Sequence, residues 1–98
     1  MKYELIISTK ASEEYEEIYS FYKDKSVKLG VRFSEELLEF IEKIESNPNL
    51  FQAEDSVYRR AHLKTFPYTV FYKVLDDRNL IEVVSIWPQA GRTGGWRK

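Results

Sequence analysis

The chain contains no cysteine, one histidine and one methionine among its 98 residues. Without cysteine it can form neither a disulfide framework nor a thiolate metal site. Long apolar runs are missing as well. Leu5-Ile6-Ile7 is too short for the core of a signal peptide, and no run approaches the ~20 residues that cross a membrane. We therefore expect a cytoplasmic protein that uses no metal, cofactor or membrane.

Glycine and proline are also sparse, and three of the four glycines lie close to the C-terminus. The length predicts one domain that spans residues 1–98. An apolar content of 43% suffices for one compact core but leaves little room for a deep pocket. From Gln89 onwards the chain is glycine-rich, and residues 89–98 are predicted to form a mobile tail.

Acidic side chains are abundant in the first half of the chain and scarce in the second. Residues 57–98 carry eight Lys/Arg and three Asp/Glu, a net charge of +5. Residues 1–55 carry seven Lys/Arg and thirteen Asp/Glu, a net charge of −6. The overall charge of −1 therefore hides a polarised molecule. This asymmetry predicts that the second half attracts an acidic partner, either a protein segment or a nucleic acid.

Two helices are predicted in the first half. The first begins between Thr9 and Ser12 and carries apolar residues at helical spacing. A turn is predicted at residues 23–26, with Ser26 as the N-cap of the second helix. Its apolar stripe is formed by Leu29, Phe33, Leu37, Phe40, Ile41 and Ile44. Asn47-Pro48 ends this helix, because proline cannot continue its hydrogen-bond ladder.

Strands are predicted at residues 3–8, 57–64, 69–75 and 80–87, with a hairpin turn at 76–79 and a polar loop at 49–55. The order β-α-α-β-β-β predicts an α+β fold, in which a helical hairpin packs on one face of a largely antiparallel sheet. The other sheet face stays partly open. Period-two alternation places Tyr58, Arg60, His62 and Lys64 together on that open face.

Several motifs, taken in order along almost the whole chain, resemble one family. They are the Tyr-rich end of the first helix (residues 18–22), Gly30 followed by Phe33, Asn47-Pro48, Arg59 in the next strand, and Phe-Pro-Tyr-Thr-Val-Phe-Tyr-Lys-Val at residues 66–74. The series is similar to the RelE/ParE superfamily of bacterial type II toxin–antitoxin toxins. The resemblance implies a small α+β toxin, neutralised by a cognate antitoxin that wraps a segment around it.

The superfamily divides by target. The resemblance implies either a RelE-like mRNA endonuclease that depends on the ribosome, or a ParE-like inhibitor of DNA gyrase without nuclease chemistry. RelE-like tails place a Tyr soon after a late Arg, whereas this chain has no Tyr beyond position 72. ParE-like tails place His, Arg and Trp late; here Pro88 replaces the His, while Arg92, Trp96 and Arg97 are kept. The tail favours the ParE-like branch, with the endoribonuclease and an inactive, partnerless member as alternatives.

A nuclease of the RelE kind needs groups that activate a 2′-hydroxyl, stabilise the phosphorane charge and transfer protons, without a metal. The side chains that the sequence offers for this catalysis are Arg60, His62, Lys64 and Arg92. Each has a simpler interpretation. Arg60 and Lys64 suit a solvated or partner-binding face, and a lone histidine is usually structural.

Binding of the target or of nucleic acid is assigned to Arg59, Tyr68, Trp96 and Arg97. Structural alternatives stay open for three of them. Arg59 is in register with core residues and can be half-buried, bridging to helix acids. Tyr68 can pack against its neighbours with a wet hydroxyl. Trp96 can contact a partner or dock back on the sheet.

Overall fold

The structure is a computed structural model that describes residues 3–90 and 95–97. Its helices and strands are, in chain order, β1 (Glu4–Ile7), α1 (Thr9–Lys25), α2 (Val27–Ser46), β2 (Gln52–Ala53), β3 (Tyr58–His62), β4 (Tyr68–Leu75) and β5 (Leu80–Pro88). Short 3-10 turns cover Asp76–Arg78 and Gly95–Arg97. The α+β class is confirmed. The one unpredicted strand, β2, lies in the segment interpreted as a polar loop.

The strands form a single five-stranded sheet in the order β1-β5-β4-β3-β2. Neighbouring strands from β2 to β5 pair antiparallel, so the predicted meander is confirmed, whereas β1 pairs parallel with β5. A parallel pair requires a crossover connection, and here the helical hairpin contributes to it. The hairpin packs on one sheet face, and we call the opposite face the open face.

A single residue joins the two helices. The Ser26 hydroxyl accepts a hydrogen bond from Leu29 N at 3.4 Å, so Ser26 caps α2 as predicted. Its backbone N–H donates to Tyr22 O at 2.9 Å and closes α1. The turn predicted at residues 23–26 is therefore wrong for its first three residues, which belong to α1. Ser8 caps the other end of α1, where its hydroxyl accepts from Ala11 N at 3.0 Å.

Gly30 sets the approach of the two helices. A Cβ at this position would lie 3.2 Å from Lys23 Cβ and 3.3 Å from the Tyr19 ring. These distances are tighter than ordinary van der Waals contact, so α1 crosses α2 closely at the glycine. The crossing brings the apolar stripe of α2 onto the sheet, and four of its six predicted members are buried: Phe33, Leu37, Phe40 and Ile44.

Side chains of α1 cover the stretch of the β5 edge that β1 does not reach. The pairing of β1 with β5 stops at Val83. Beyond it, Glu14 Oε1 accepts hydrogen bonds from Ser85 Oγ and Ile86 N, both at 2.8 Å. The Ser8 hydroxyl donates to Val84 O at 3.2 Å. Because open strand edges invite pairing with other chains, these bonds close the sheet at this end.

Candidate functional site

The open face is formed by outward side chains of the three central strands, which alternate with core residues. Its members are Tyr58, Arg60 and His62 of β3, Thr69, Phe71 and Lys73 of β4, and Ser85 and Trp87 of β5. The strand register sets Arg60 opposite Phe71 and His62 opposite Thr69. Two of the four residues considered for catalysis, Arg60 and His62, are therefore brought together.

Trp96 covers the centre of the open face. Its ring lies parallel on the Phe71 ring, with centroids 4.0 Å apart and an interplanar angle of 6°. It also meets the Tyr58 ring edge-on at 5.0 Å. Trp96 is only 5% exposed and Phe71 only 7%. Docking on the sheet is thus the alternative that the structure shows for Trp96, and the tail predicted to be mobile is packed here at Gly95–Arg97.

An ion pair fixes the far side of this turn. Arg97 Nη2 donates to Asp55 Oδ2 at 2.6 Å, and its guanidinium lies 4.4 Å from the Trp96 ring centroid. Asp55 is exposed, yet the Arg97 hydrogen bond and the backbone N–H groups of Tyr58 and Val57 lower its pKa from 3.8 to about 2. Arg97, assigned to target binding, is therefore used within the chain.

A second cation holds the turn from the side of α1. Lys10 Nζ donates to the Trp96 carbonyl and, at 3.3 Å, to Ser85 Oγ. The same ammonium forms an ion pair with Glu14 at 3.3 Å. Close packing completes the contact, because a Cβ on Gly95 would lie 2.9 Å from the Trp87 ring. The tail turn is thus joined to both the helical hairpin and the sheet.

Arg60 and Arg59 both have partners inside the chain. Arg60 Nη1 pairs with Glu54 Oε1 at 2.6 Å, while its buried Nε has no partner among the described residues. Arg59 Nη1 donates to Phe51 O at 2.7 Å. The half-buried interpretation of Arg59 is correct, but the acceptor is a main-chain carbonyl and not a helix carboxylate. A phosphate at Arg60 would have to displace or share Glu54.

His62 and Lys64 lie in different surroundings. The exposed His62 is hydrogen-bonded through Nδ1 to Thr69 Oγ1 at 2.6 Å. Lys64 follows the end of β3 and lines a groove against α2 with Glu36. The Glu36 carboxylate accepts from Lys64 N at 2.8 Å and from Thr65 N at 2.9 Å, which draws this turn toward the helix. The expectation that Lys64 shares the open face with Arg60 and His62 is therefore wrong.

The tyrosines near the site are packed or bonded within the protein. Tyr68 lies on the helix side of the sheet, with its ring centroid 5.9 Å from that of Phe33 and 6.4 Å from that of Tyr22. Burial, and the neighbouring Tyr68 phenol, raise the pKa of Tyr22. Burial also raises the pKa of Tyr72 to about 12, and its hydroxyl donates to Pro48 O at 2.6 Å. The packing interpretation of Tyr68 is the one that the structure shows.

Sequence reasoning placed Tyr58 on this face but missed two residues that shape it, Phe71 and Lys10. Phe71 and Tyr58 form the aromatic surface under Trp96, and Lys10 reaches it from α1. Strand alternation puts Phe71 on the face opposite to its neighbours Val70 and Tyr72. All three side chains are apolar or aromatic, so the pattern does not tell which of the two faces is the core. Nothing local signals Lys10, which is 86 residues from Trp96 in the chain. Arg92 lies outside the described residues.

The described residues restrict the chemistry of the site. In residues 3–90 and 95–97, no three His, Asp or Glu side chains are grouped so as to hold a metal ion. No helix among them combines the length and the apolar character needed to span a membrane. Among the described side chains of the open face, His62 is the one histidine, and it lies beside aromatic rings and paired cations. Because Trp96 covers Phe71 and both Arg60 and Arg97 are ion-paired, a ligand on this face would have to displace contacts within the chain.

Several solved structures of toxins from toxin–antitoxin systems share this fold. The chain is similar to the chromosomal ParDE toxin–antitoxin system from P. aeruginosa, with a TM-score of 0.75 and 17% identity over 88% of this chain and 95% of that one. A mutant of the E. coli toxin RelE in the free state is similar with a TM-score of 0.73 and 18% identity, over 99% of this chain and 92% of that one. The intact E. coli RelBE toxin–antitoxin complex is similar with a TM-score of 0.68 and 20% identity, over 92% of this chain and 99% of that one. These likenesses show the fold.

The family follows from the sequence itself. No curated protein matches the chain. The model of the family described as ParE toxin of type II toxin–antitoxin system, parDE, matches residues 5–92. The chain belongs to this family and hence to the RelE/ParE superfamily of toxins, which confirms the resemblance of its motifs.

Proposed function

We propose that the chain is the toxin of a bacterial type II toxin–antitoxin pair and acts in the ParE-like manner, by binding and inhibiting a cytoplasmic target such as DNA gyrase. The observation that carries the proposal is the match of the ParE toxin family to residues 5–92. A cognate antitoxin is its expected partner. The similar structures from P. aeruginosa, E. coli and Pyrococcus horikoshii, described as a toxin–antitoxin system or complex, support that expectation.

The state of the basic side chains favours a binder over a nuclease. A nuclease must present free cations to the charge that develops on the phosphorane. Arg60 instead pairs with Glu54, and Arg97 pairs with Asp55. Lys64 stands apart beside α2. Of the three described residues considered for catalysis, His62 alone lies on the open face with neither an acidic partner nor a helix beside it.

A RelE-like endoribonuclease is the second candidate, and two observations favour it. The fold matches free E. coli RelE over 99% of this chain, and Arg60 and His62 share the open face. In this reading Arg60 leaves Glu54 to contact phosphate, His62 transfers protons and Arg92 adds a cation. An inactive family member is the remaining alternative, and growth of cells that overexpress the chain would support it.

The experiment that separates these functions is a pulse of expression in bacteria, with translation, replication and mRNA integrity followed in parallel. A gyrase supercoiling assay with purified protein is run beside it. We expect growth arrest, inhibited supercoiling and intact mRNA. Cuts in mRNA that require ribosomes would overturn the ParE-like proposal in favour of the nuclease.

Two variants sharpen that test. Arg60→Ala removes an open-face cation, and Arg78→Ala removes an exposed cation in the β4–β5 turn as a matched control. For a nuclease, loss of a group that stabilises the phosphorane lowers cleavage by ~10²–10³-fold. For a binder, we expect Arg60→Ala to weaken inhibition of supercoiling modestly and Arg78→Ala to leave it unchanged. Neither variant should release mRNA fragments.

A further inference from the structure

Two acidic residues lie between β2 and β3, where the acidic half of the chain ends, and both contact arginines of the candidate site. Glu54 Oε1 accepts a hydrogen bond from Arg60 Nη1 at 2.6 Å, and Asp55 Oδ2 accepts one from Arg97 Nη2 at 2.6 Å. The Asp55 hydrogen bond is the largest cause that raises the pKa of Arg97, and the negative charges of Asp55 and Glu54 add to it. The four side chains therefore form one charge cluster.

The β2–β3 turn holds these acids in place. Asp55 Oδ1 accepts hydrogen bonds from Val57 N and Tyr58 N, both at 2.8 Å, so Oδ2 is the oxygen that faces Arg97. The backbone N–H of Glu54 donates to Tyr58 O at 2.8 Å. An aspartate that bonds the backbone two residues on is a stable turn element. The carboxylates are thus presented by a hydrogen-bonded turn.

Both ion pairs are nevertheless open to replacement. Each arginine donates one hydrogen bond to its acid, without the parallel second bond of a bidentate pair. The side chains of Arg60 and Glu54 are 28% and 23% exposed, and those of Arg97 and Asp55 are 44% and 38% exposed. Water competes for charges at such positions, so the pairs contribute little net free energy. A more highly charged anion can therefore take the place of the carboxylates while the sheet stays folded.

The arginines of the cluster lie beside the aromatic rings of the open face. The Arg97 guanidinium is 4.4 Å from the Trp96 ring centroid and 5.3 Å from that of Tyr58. Arg60 follows Tyr58 by two residues on β3 and is paired with Phe71 of β4. Guanidinium groups bind phosphate and carboxylate oxygens alike. Two of them in one cluster suit a ligand with two or more negative charges.

We propose that Glu54 and Asp55 form an internal acidic competitor, which neutralises Arg60 and Arg97 and excludes a polyvalent anion from the open face until that anion displaces them. The contact is autoinhibitory, because it lowers the affinity of the face for anions. The inference rests on the proposed function only in taking the open face as a binding face. The competing explanation is that the two ion pairs serve stability alone.

The test compares three full-length proteins, the wild type and two double variants, in an NMR titration with inorganic pyrophosphate at ~20 mM salt. Glu54→Gln with Asp55→Asn, the freed variant, removes both charges but keeps amide oxygens that accept the hydrogen bonds of the turn. Glu13→Gln with Glu17→Gln is the matched control on exposed positions of α1, since either double substitution changes the net charge from −1 to +1. We expect the freed variant to bind about fivefold more tightly than the control.

A second set of measurements locates the anion. The amide shifts should centre on β3 and on Gly95–Arg97. Adding Arg60→Ala to the freed variant should abolish the gain in affinity, whereas adding Arg78→Ala, at an exposed position in the β4–β5 turn, should preserve it. Circular dichroism verifies that every variant is folded.

Stability and affinity should change in opposite directions. The freed variant should melt at a lower temperature than the wild type and still bind pyrophosphate more tightly, whereas a purely structural role would lower the melting temperature with no gain in affinity. Equal affinity of the two double variants, binding by neither, or amide shifts away from the charge cluster would overturn the proposal. Neither gyrase nor ribosomes take part, so a failure here is distinct from a failure of the supercoiling assay.

Discussion

At the scale of single residues, Trp96 packs the tail turn onto the sheet, and we expect its loss to destabilise the molecule. It is 5% exposed and stacks on Phe71 at 4.0 Å. Truncating a buried aromatic ring costs about 3–5 kcal/mol, and a ring at the end of the chain sits toward the lower end of that range. Trp96→Ala should therefore lower the free energy of unfolding by about 2–4 kcal/mol in urea denaturation.

A matched control for Trp96 is Phe21→Ala, since Phe21 is 52% exposed on α1. Its loss should lower the free energy of unfolding by no more than about 1 kcal/mol. Trp96→Phe keeps an aromatic ring over Phe71 and should fall between the two. A Trp96→Ala protein as stable as the Phe21→Ala protein would show that the tail contributes no packing energy.

Asp55 gives the fold a specific acid sensitivity. Its folded pKa of about 2 lies below the ordinary 3.8, with the Arg97 hydrogen bond as the largest cause. A depressed carboxyl pKa stabilises the fold above about pH 4, and this contribution is lost as the pH falls toward 2. The melting temperature of Asp55→Asn should therefore lie below that of the wild type at pH 7, and the two should converge near pH 2. A difference in melting temperature between the two proteins that stays constant from pH 7 to 2 would contradict this.

Residue roles could be predicted from the sequence only where they depend on local pattern. Ser26 as an N-cap and the half-burial of Arg59 follow from spacing and strand register, and both are found. The position of Lys64 does not follow, because β3 ends two residues early and a carboxylate from α2 binds the next turn. The pairing of Arg60 with Glu54 depends on β2, a two-residue strand that no periodicity can reveal.

At the scale of secondary-structure elements, the β5 edge depends on one carboxylate of α1. Glu14 accepts hydrogen bonds from Ile86 N and Ser85 Oγ at 2.8 Å and pairs with Lys10. Glu14→Ala would leave a part-buried strand N–H without an acceptor, which costs about 1–3 kcal/mol. We expect a loss of that size in denaturant unfolding, together with faster hydrogen exchange at the Ile86 amide. Glu13→Ala, an exposed neighbour, should change neither measurement.

The crossing of the two helices should tolerate no larger side chain at Gly30. A Cβ there already lies within 3.2–3.3 Å of Lys23 and Tyr19. Gly30→Leu would force α1 and α2 apart, and overpacking of this kind costs about 1–3 kcal/mol despite the better helix propensity of leucine. Val31→Leu, at the exposed next position, should be near neutral. Equal stabilities of the two variants in thermal unfolding would argue against close packing at the crossing.

The elements themselves were largely predictable, for a physical reason. The stripe of α2 repeats at helical spacing over about four turns, and the long strands β4 and β5 are rich in β-branched and aromatic residues. Their pairing into a meander follows from the short turn between them. The parallel pairing of β1 with β5 is a long-range contact, and the apolar residues of a four-residue strand do not encode which edge it joins.

For the whole molecule, the separation of charge between the halves should govern its behaviour at low salt. The helical hairpin lies in the half of net charge −6 and the central strands in the half of +5, while the total is −1. At ~10 mM salt the Debye length is about 30 Å, and the middle dimension of the protein is 29 Å. Oppositely charged ends of neighbouring molecules then attract, and a net charge near zero does little to oppose this.

We therefore predict attractive self-interaction of the purified chain at ~10 mM salt, seen as a negative second virial coefficient in light scattering, which rises toward zero or above at ~150 mM as the Debye length falls to about 8 Å. Glu13→Gln with Glu17→Gln provides the decisive comparison. It changes the net charge from −1 to +1, so the magnitude is kept while the hairpin becomes less acidic. If charge separation drives the attraction, this variant should be clearly less attractive at low salt. If the second virial coefficient changes neither with salt nor with the double substitution, apolar contacts control self-association instead, with exposed residues such as Leu38 first among them.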